Sequence, residues 1–156
     1  MSSSSPPESR TDFFKEAAKN SGQLDVALLI LRIALAAFLL LFGIDKLVAT
    51  ETTVKVFAHF YGLAIAPAVA QTAGVLEILL GLAMLAGLWK TITYGLGLLL
   101  HAISTLVTYE QLLFPFGENH LFIASIPVLA AFIALFLLRR LDTLLSLAAS
   151  AREEHK

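Results

Sequence analysis

The feature that most constrains this chain is Ala64–Leu88, a run of 25 residues in which Glu77 is the only charge and Lys90 follows just past the end. About 20 helical residues cross the ~30 Å hydrocarbon core of a bilayer at ~1.5 Å each, so a run of this length reads as a membrane span. A carboxylate at that depth lacks water and needs a partner, a proton or a task. Composition agrees: the 156 residues are 58% hydrophobic and only 15% charged, against about 45–50% and about 25% in soluble domains.

Three further apolar runs occur: Leu24–Ile44 with Arg32, Thr91–Val107 with His101, and Leu121–Leu138 with Pro127. Only Trp89 and Lys90 separate the second run from the third, which requires an antiparallel hairpin. The expected fold is all-α, a membrane-embedded antiparallel four-helix bundle. Residues 1–23 read as a disordered or interfacial tail, 24–142 as the four-span domain and 143–156 as a cytoplasmic tail. Within the first tail, Ser/Pro-rich Met1–Arg10 reads as disordered and Thr11–Asn20 as a short amphipathic surface helix. Between spans one and two, Thr53–Phe60 fits an interfacial helix. Tyr109–His120, broken by Pro115 and Gly117, forms the other long connection.

Lys and Arg distribute unevenly about these spans. Arg10, Lys15, Lys19, Lys90, Arg139, Arg140, Arg152 and Lys156 fall on one side, and Lys46 and Lys55 on the other, eight against two. That imbalance places both termini in the cytoplasm.

Several function classes drop out. With no cysteine, thiolate nucleophiles, disulfide exchange and cysteine-ligated iron–sulfur clusters are excluded. A net charge of −1 with no basic stripe argues against nucleic acid. No histidine pair has the spacing of a compact metal site, so no metal is expected, and no internal repeat suggests a transporter.

What remains is a polar set inside the bundle. Measured from the tight hairpin, Glu77 and His101 lie roughly 16–20 Å deep, and Arg32, eight residues beyond Leu24, lies about 12 Å deep from the same side, which lets the guanidinium reach the carboxylate. Helical spacing puts Ala70, Gly74, Glu77, Gly81 and Met84 on one face, Tyr94, Gly97, His101, Ser104, Thr105 and Thr108 on another, and Arg32, Ala36, Gly43 and Lys46 on a third. Arg32 and Glu77 are open to two readings, a structural ion pair that locks the bundle or a site with Glu77 and His101 as proton-transfer groups and Arg32 as positioning charge. His101 alternatively bonds a nearby carbonyl or hydroxyl. Pro127 is expected to kink the fourth span and free a carbonyl near the depth of Glu77. At the outer rim, Lys46, Tyr109, Phe114, Phe116 and His120 read either as solvated surface or as the lining for an amphiphile such as a quinone head.

Arg32 in ILRIAL, the Gly43-Ile44-Asp45-Lys46-Leu47 end of the first span, Pro67 ahead of the second, Glu77 followed by Gly81 and Gly87, and the His120-Leu121-Phe122 entry to a Pro-bearing fourth span together resemble the DoxX-like family of four-span membrane proteins. The resemblance covers about Leu24–Asp142. It implies a membrane oxidoreductase subunit similar to the small subunit of a thiosulfate:quinone oxidoreductase, with quinone as cofactor or substrate and a redox partner subunit. Distant relatives acting as assembly factors or cargo receptors imply the alternative of a non-catalytic scaffold. On the first reading Glu77 and His101 are catalytic and Arg32, Lys46, Tyr109 and His120 bind substrate. Partners are then the bilayer and a redox subunit, with a homo-oligomer left open.

Overall fold

The computed structural model describes residues 10–147; of the start expected to be disordered, Met1–Arg10, all but Arg10 lies outside the described residues, as does the end of the C-terminal tail, and Arg10 is helical. The elements are α1 (Arg10–Val48), α2 (Thr50–Phe60), α3 (Pro67–Leu85), α4 (Lys90–Val107), α5 (Tyr109–Leu113), a 3-10 helix (Gly117–Ala124) and α6 (Ser125–Leu137). Among the described residues, four segments are long and apolar enough to cross a membrane: Ser21–Val48, Pro67–Leu85, Lys90–Val107 and Gly117–Leu137. The shortest, at 18 residues, spans ~27 Å. The chain is a multi-pass, all-α membrane protein.

α1 is continuous from Arg10 into the first span, so the surface helix expected over Thr11–Asn20 is its first part. α2 lies where an interfacial helix was expected, starting at Thr50. α1 packs chiefly on α3, and α4 on α6. The α1–α3 contact is close because Gly43 faces Gly74. A methyl at Gly74 would lie 2.8 Å from the Gly43 carbonyl oxygen, and one at Gly43 would lie 2.9 Å from that of Gly74. Small residues at such a crossing let backbones approach and gain van der Waals contact, which replaces the hydrophobic drive absent in lipid.

The core holds Leu28, Leu35, Ala36, Leu39, Met84, Tyr94, Phe132 and Leu135. Ala70, Gly74, Gly81 and Met84 are the buried residues of α3, the face the periodicity selects. The opposite faces, with Ile30, Leu41, Leu76, Leu79, Leu99 and Leu106 exposed, are equally apolar, as acyl chains require.

Pro127 does not act as the sequence suggests. It is the third residue of α6, in a first turn whose N–H groups lack intrahelical partners in any case, so it frees no carbonyl at the depth of Glu77. The irregularity lies before it. Gly117–Ala124 runs as a 3-10 helix of eight residues, longer than the usual run of roughly three or four, and the Ser125 hydroxyl donates to the Phe122 carbonyl at 2.7 Å where the winding changes to α.

Candidate functional site

The polar residues of the bundle fall into three separate sets of partners. At the end carrying the α3–α4 turn, α3 closes through Gly87 (φ +66°), whose N–H bonds Met84 O while that of Leu88 bonds Ala83 O, the Schellman arrangement. Trp89, in the left-handed region (φ 41°), then starts α4. Arg32, 1% exposed, points at this turn. Its Nη1 donates to both carboxylate oxygens of Asp142, at 3.0 and 2.9 Å. Its Nη2 donates to the carbonyls of Leu144 at 2.6 Å and Leu145 at 3.0 Å. Tyr94 Oη donates to Asp142 Oδ2 at 2.5 Å, and Lys90 Nζ donates to the Asp142 main-chain carbonyl.

Asp142 belongs to a strap, residues 138–147, that leaves α6 and folds under the bundle. Ser146 Oγ donates to Gly87 O at 3.2 Å and Leu147 N–H to Ala86 O at 3.1 Å. The folded unit therefore continues past Asp142, the boundary drawn from sequence, to at least Leu147. Gly87 is needed twice here. Its φ is one that side chains adopt at a cost, and a methyl would lie 2.7 Å from Ser146 Oγ and 3.0 Å from Arg32 Nη1.

At the opposite end Lys46 Nζ meets Glu77 Oε2 at 2.6 Å, the side chains 19% and 13% exposed. Lys46 also donates to Phe42 O at 3.3 Å and lies 5.7 Å from the Phe42 ring centroid. A cation in the last turn of α1 is further favoured by the helix dipole.

On α4, His101 Nε2 lies 3.0 Å from Ser125 O. A carbonyl only accepts, so Nε2 carries the proton. The ring is stacked 5.5 Å from Phe132 and edge-on 5.3 Å from Phe38. Thr105 bonds back to His101 O, and Thr108 to Ser104 O and Thr105 O. Ser104 is exposed despite sharing the polar face.

The convergence expected of Arg32, Glu77 and His101 does not occur. Gly74 packs beside Lys46 and Gly87 beside Arg32, so the antiparallel register puts Glu77 ten residues, ~15 Å, from the Arg32 level. The guanidinium cannot cross that gap, and each charge pairs locally instead. Sequence reasoning missed Asp142 because it was assigned to the tail boundary. The signal was present: Asp142 is the only acidic residue between Glu118 and Glu153, and it follows the fourth span on Arg32's own side of the membrane.

Tyr109 and His120, expected to bind substrate, are exposed and bond to near neighbours in the chain. Tyr109 is exposed and donates to Glu110 Oε1 at 3.2 Å, and that hydrogen-bonded carboxylate raises its pKa above the usual phenol value. His120 Nδ1 donates to Gly117 O at 2.6 Å, and Asn119 to Phe114 O at 3.1 Å. Phe60 and Phe122, with ring centroids 5.9 Å apart, join α2 to the 3-10 helix. A shallow groove on the lipid side of α3, lined by Ala68, Val69, Thr72, Ala73 and Leu76, contains none of the expected site residues.

No curated protein and no solved structure matches the chain significantly. The DoxX family model matches residues 27–111, a stretch that includes Arg32, Lys46, Glu77, Tyr94 and His101 but stops short of Asp142. With more than half of the sequence inside that match and four membrane-spanning helices to go with it, the chain belongs to the DoxX family.

Proposed function

We propose that this chain is an accessory subunit of a redox assembly in the inner membrane, with both termini cytoplasmic, and that it acts as a non-catalytic scaffold rather than as a self-contained oxidoreductase. The observation that supports this is the commitment of the interior polar groups to one another: Arg32 to Asp142, Lys46 to Glu77 and His101 to the Ser125 carbonyl. Groups bonded in this way hold helices in register and are poorly placed to exchange protons with a substrate. Quinone reduction also needs an electron carrier. In a chain without cysteine, a cysteine-ligated cluster would belong to a partner.

Purification in mild detergent followed by mass spectrometry tests the reading. A stoichiometric redox partner with no retained quinone supports it. Glu77→Gln or His101→Ala that leaves the assembly folded yet abolishes quinone-coupled turnover overturns it and restores these two residues as proton-transfer groups.

The outer rim favours a second reading. Tyr109, Phe114, Phe116 and His120 are all exposed near the ends of spans three and four, and the His120 ring keeps Nε2 as an acceptor. Aromatic and imidazole groups at headgroup depth suit a quinone ring, with Lys46 and Arg32 then purely structural. A photoreactive quinone analogue cross-linking to residues 109–120, and losing that cross-link in His120→Ala, would favour this reading.

A further inference from the structure

The strap under the α3–α4 turn is held by a particular kind of contact. One carboxylate, three main-chain carbonyls and one main-chain N–H bond it to Arg32, Lys90, Tyr94 and Ala86, and the Ser146 hydroxyl adds a bond to Gly87. Any acidic peptide in the same conformation offers the same carboxylate and main-chain groups. Apolar burial contributes little, since Leu141, Leu145 and Leu147 are 49%, 80% and 58% exposed. Leu145 sits at φ 48°, a region that leucine adopts only under constraint.

The receiving side is also incompletely matched. Arg32 uses Nη1 for both carboxylate oxygens, whereas a fork-on-fork pair would engage two nitrogens, and its buried Nε has no hydrogen-bond partner. Stripping Asp142 away would leave a guanidinium buried without a counter-charge, so the strap is released readily only when another carboxylate arrives. Release and replacement thus become one exchange.

We propose that the mouth formed by Arg32, Tyr94 and the Ala86–Gly87 turn is a docking site for an acidic peptide segment of a partner protein, held through its carboxylate and the main-chain carbonyls that follow it, and that the Asp142 strap is its tethered competitor. This deepens the scaffold reading and rests on it for the partner's existence, but not for the site's ability to bind. Tethering gives the strap an effective concentration in the millimolar range, so an external segment succeeds by better geometry on the Arg32 fork or by its own attachment nearby.

The probe is a synthetic peptide with the sequence of residues 139–147, offered to the detergent-solubilised full chain. Labelled peptide binds Asp142→Ala at least tenfold more tightly than the wild-type chain. The same peptide with Asp142→Asn fails to bind, as does the native peptide when Arg32→Gln is added. Should Asp142→Ala not fold, Ser146→Cys reports instead, because the natural chain has no cysteine and residue 146 is 3% exposed. Its maleimide labelling accelerates several-fold with the Asp peptide and not with the Asn peptide. Equal binding of both peptides, or labelling indifferent to either, overturns the proposal. A chain that co-purifies with a partner yet ignores the peptide removes this inference and leaves the scaffold standing.

Discussion

The Arg32–Asp142 pair fastens the strap to the bundle, and a double-mutant cycle measures how strongly. Both side chains are essentially buried, at 1% and 0%, and their atoms meet at 2.9 Å. Removing either partner leaves the other charge uncompensated, which costs about 3–5 kcal/mol in buried pairs. Arg32→Met and Asp142→Asn are therefore each expected to lower the folded-to-unfolded ratio by roughly 100- to 4,000-fold, at about 1.4 kcal/mol per factor of ten. The double variant has no orphaned charge, because the introduced amide oxygen still accepts from Tyr94 and the introduced thioether chain packs as an apolar one. Its loss should be close to that of one single variant, leaving a coupling of about 3–5 kcal/mol. Helicity followed through a denaturing-detergent titration gives all three values. Additive losses, or an Asp142→Asn effect below about 1 kcal/mol, would refute the buried pair and with it the strap's attachment.

Glu77→Gln should be milder, about 1–2 kcal/mol in the same titration, since the pair is partly exposed and Lys46 keeps the Phe42 carbonyl and ring; a loss equal to that of Asp142→Asn would contradict the assigned depths. Gly74→Val places a branched side chain where even a methyl would lie 2.8 Å from the Gly43 carbonyl oxygen. It should cost at least about 1–3 kcal/mol, and spin labels on α1 and α3 should move apart. His101→Ala removes the Ser125 bond and the packing on Phe38 and Phe132, so the amides of the 3-10 helix should lose exchange protection before those of α1. Glu110→Gln should move Tyr109 titration to lower pH, because the hydrogen-bonded carboxylate that disfavours tyrosinate is gone; tyrosinate absorbance during alkaline titration reads the change, and no movement would show the contact absent.

Much of this architecture was legible in the residues themselves. Four apolar runs, the two-residue Trp89–Lys90 break and the small-residue stripe of Ala70, Gly74, Gly81 and Met84 are local or periodic signals, and the backbone in lipid has few ways to obey them other than as packed helices. Even the back-bonding of Thr105 and Thr108 follows from helical geometry. The charge pairings did not follow, and the reason is register. Which carboxylate meets which cation depends on how far one antiparallel helix slides along another, and that slide is set by the Gly43–Gly74 contact. Glu77 consequently faces Lys46, and Arg32 is left for Asp142, 110 residues away in the chain. Periodicity names the inward faces, but axial offset belongs to the packed bundle, and a few residues of shift, at ~1.5 Å each, exceed the reach of any ion pair.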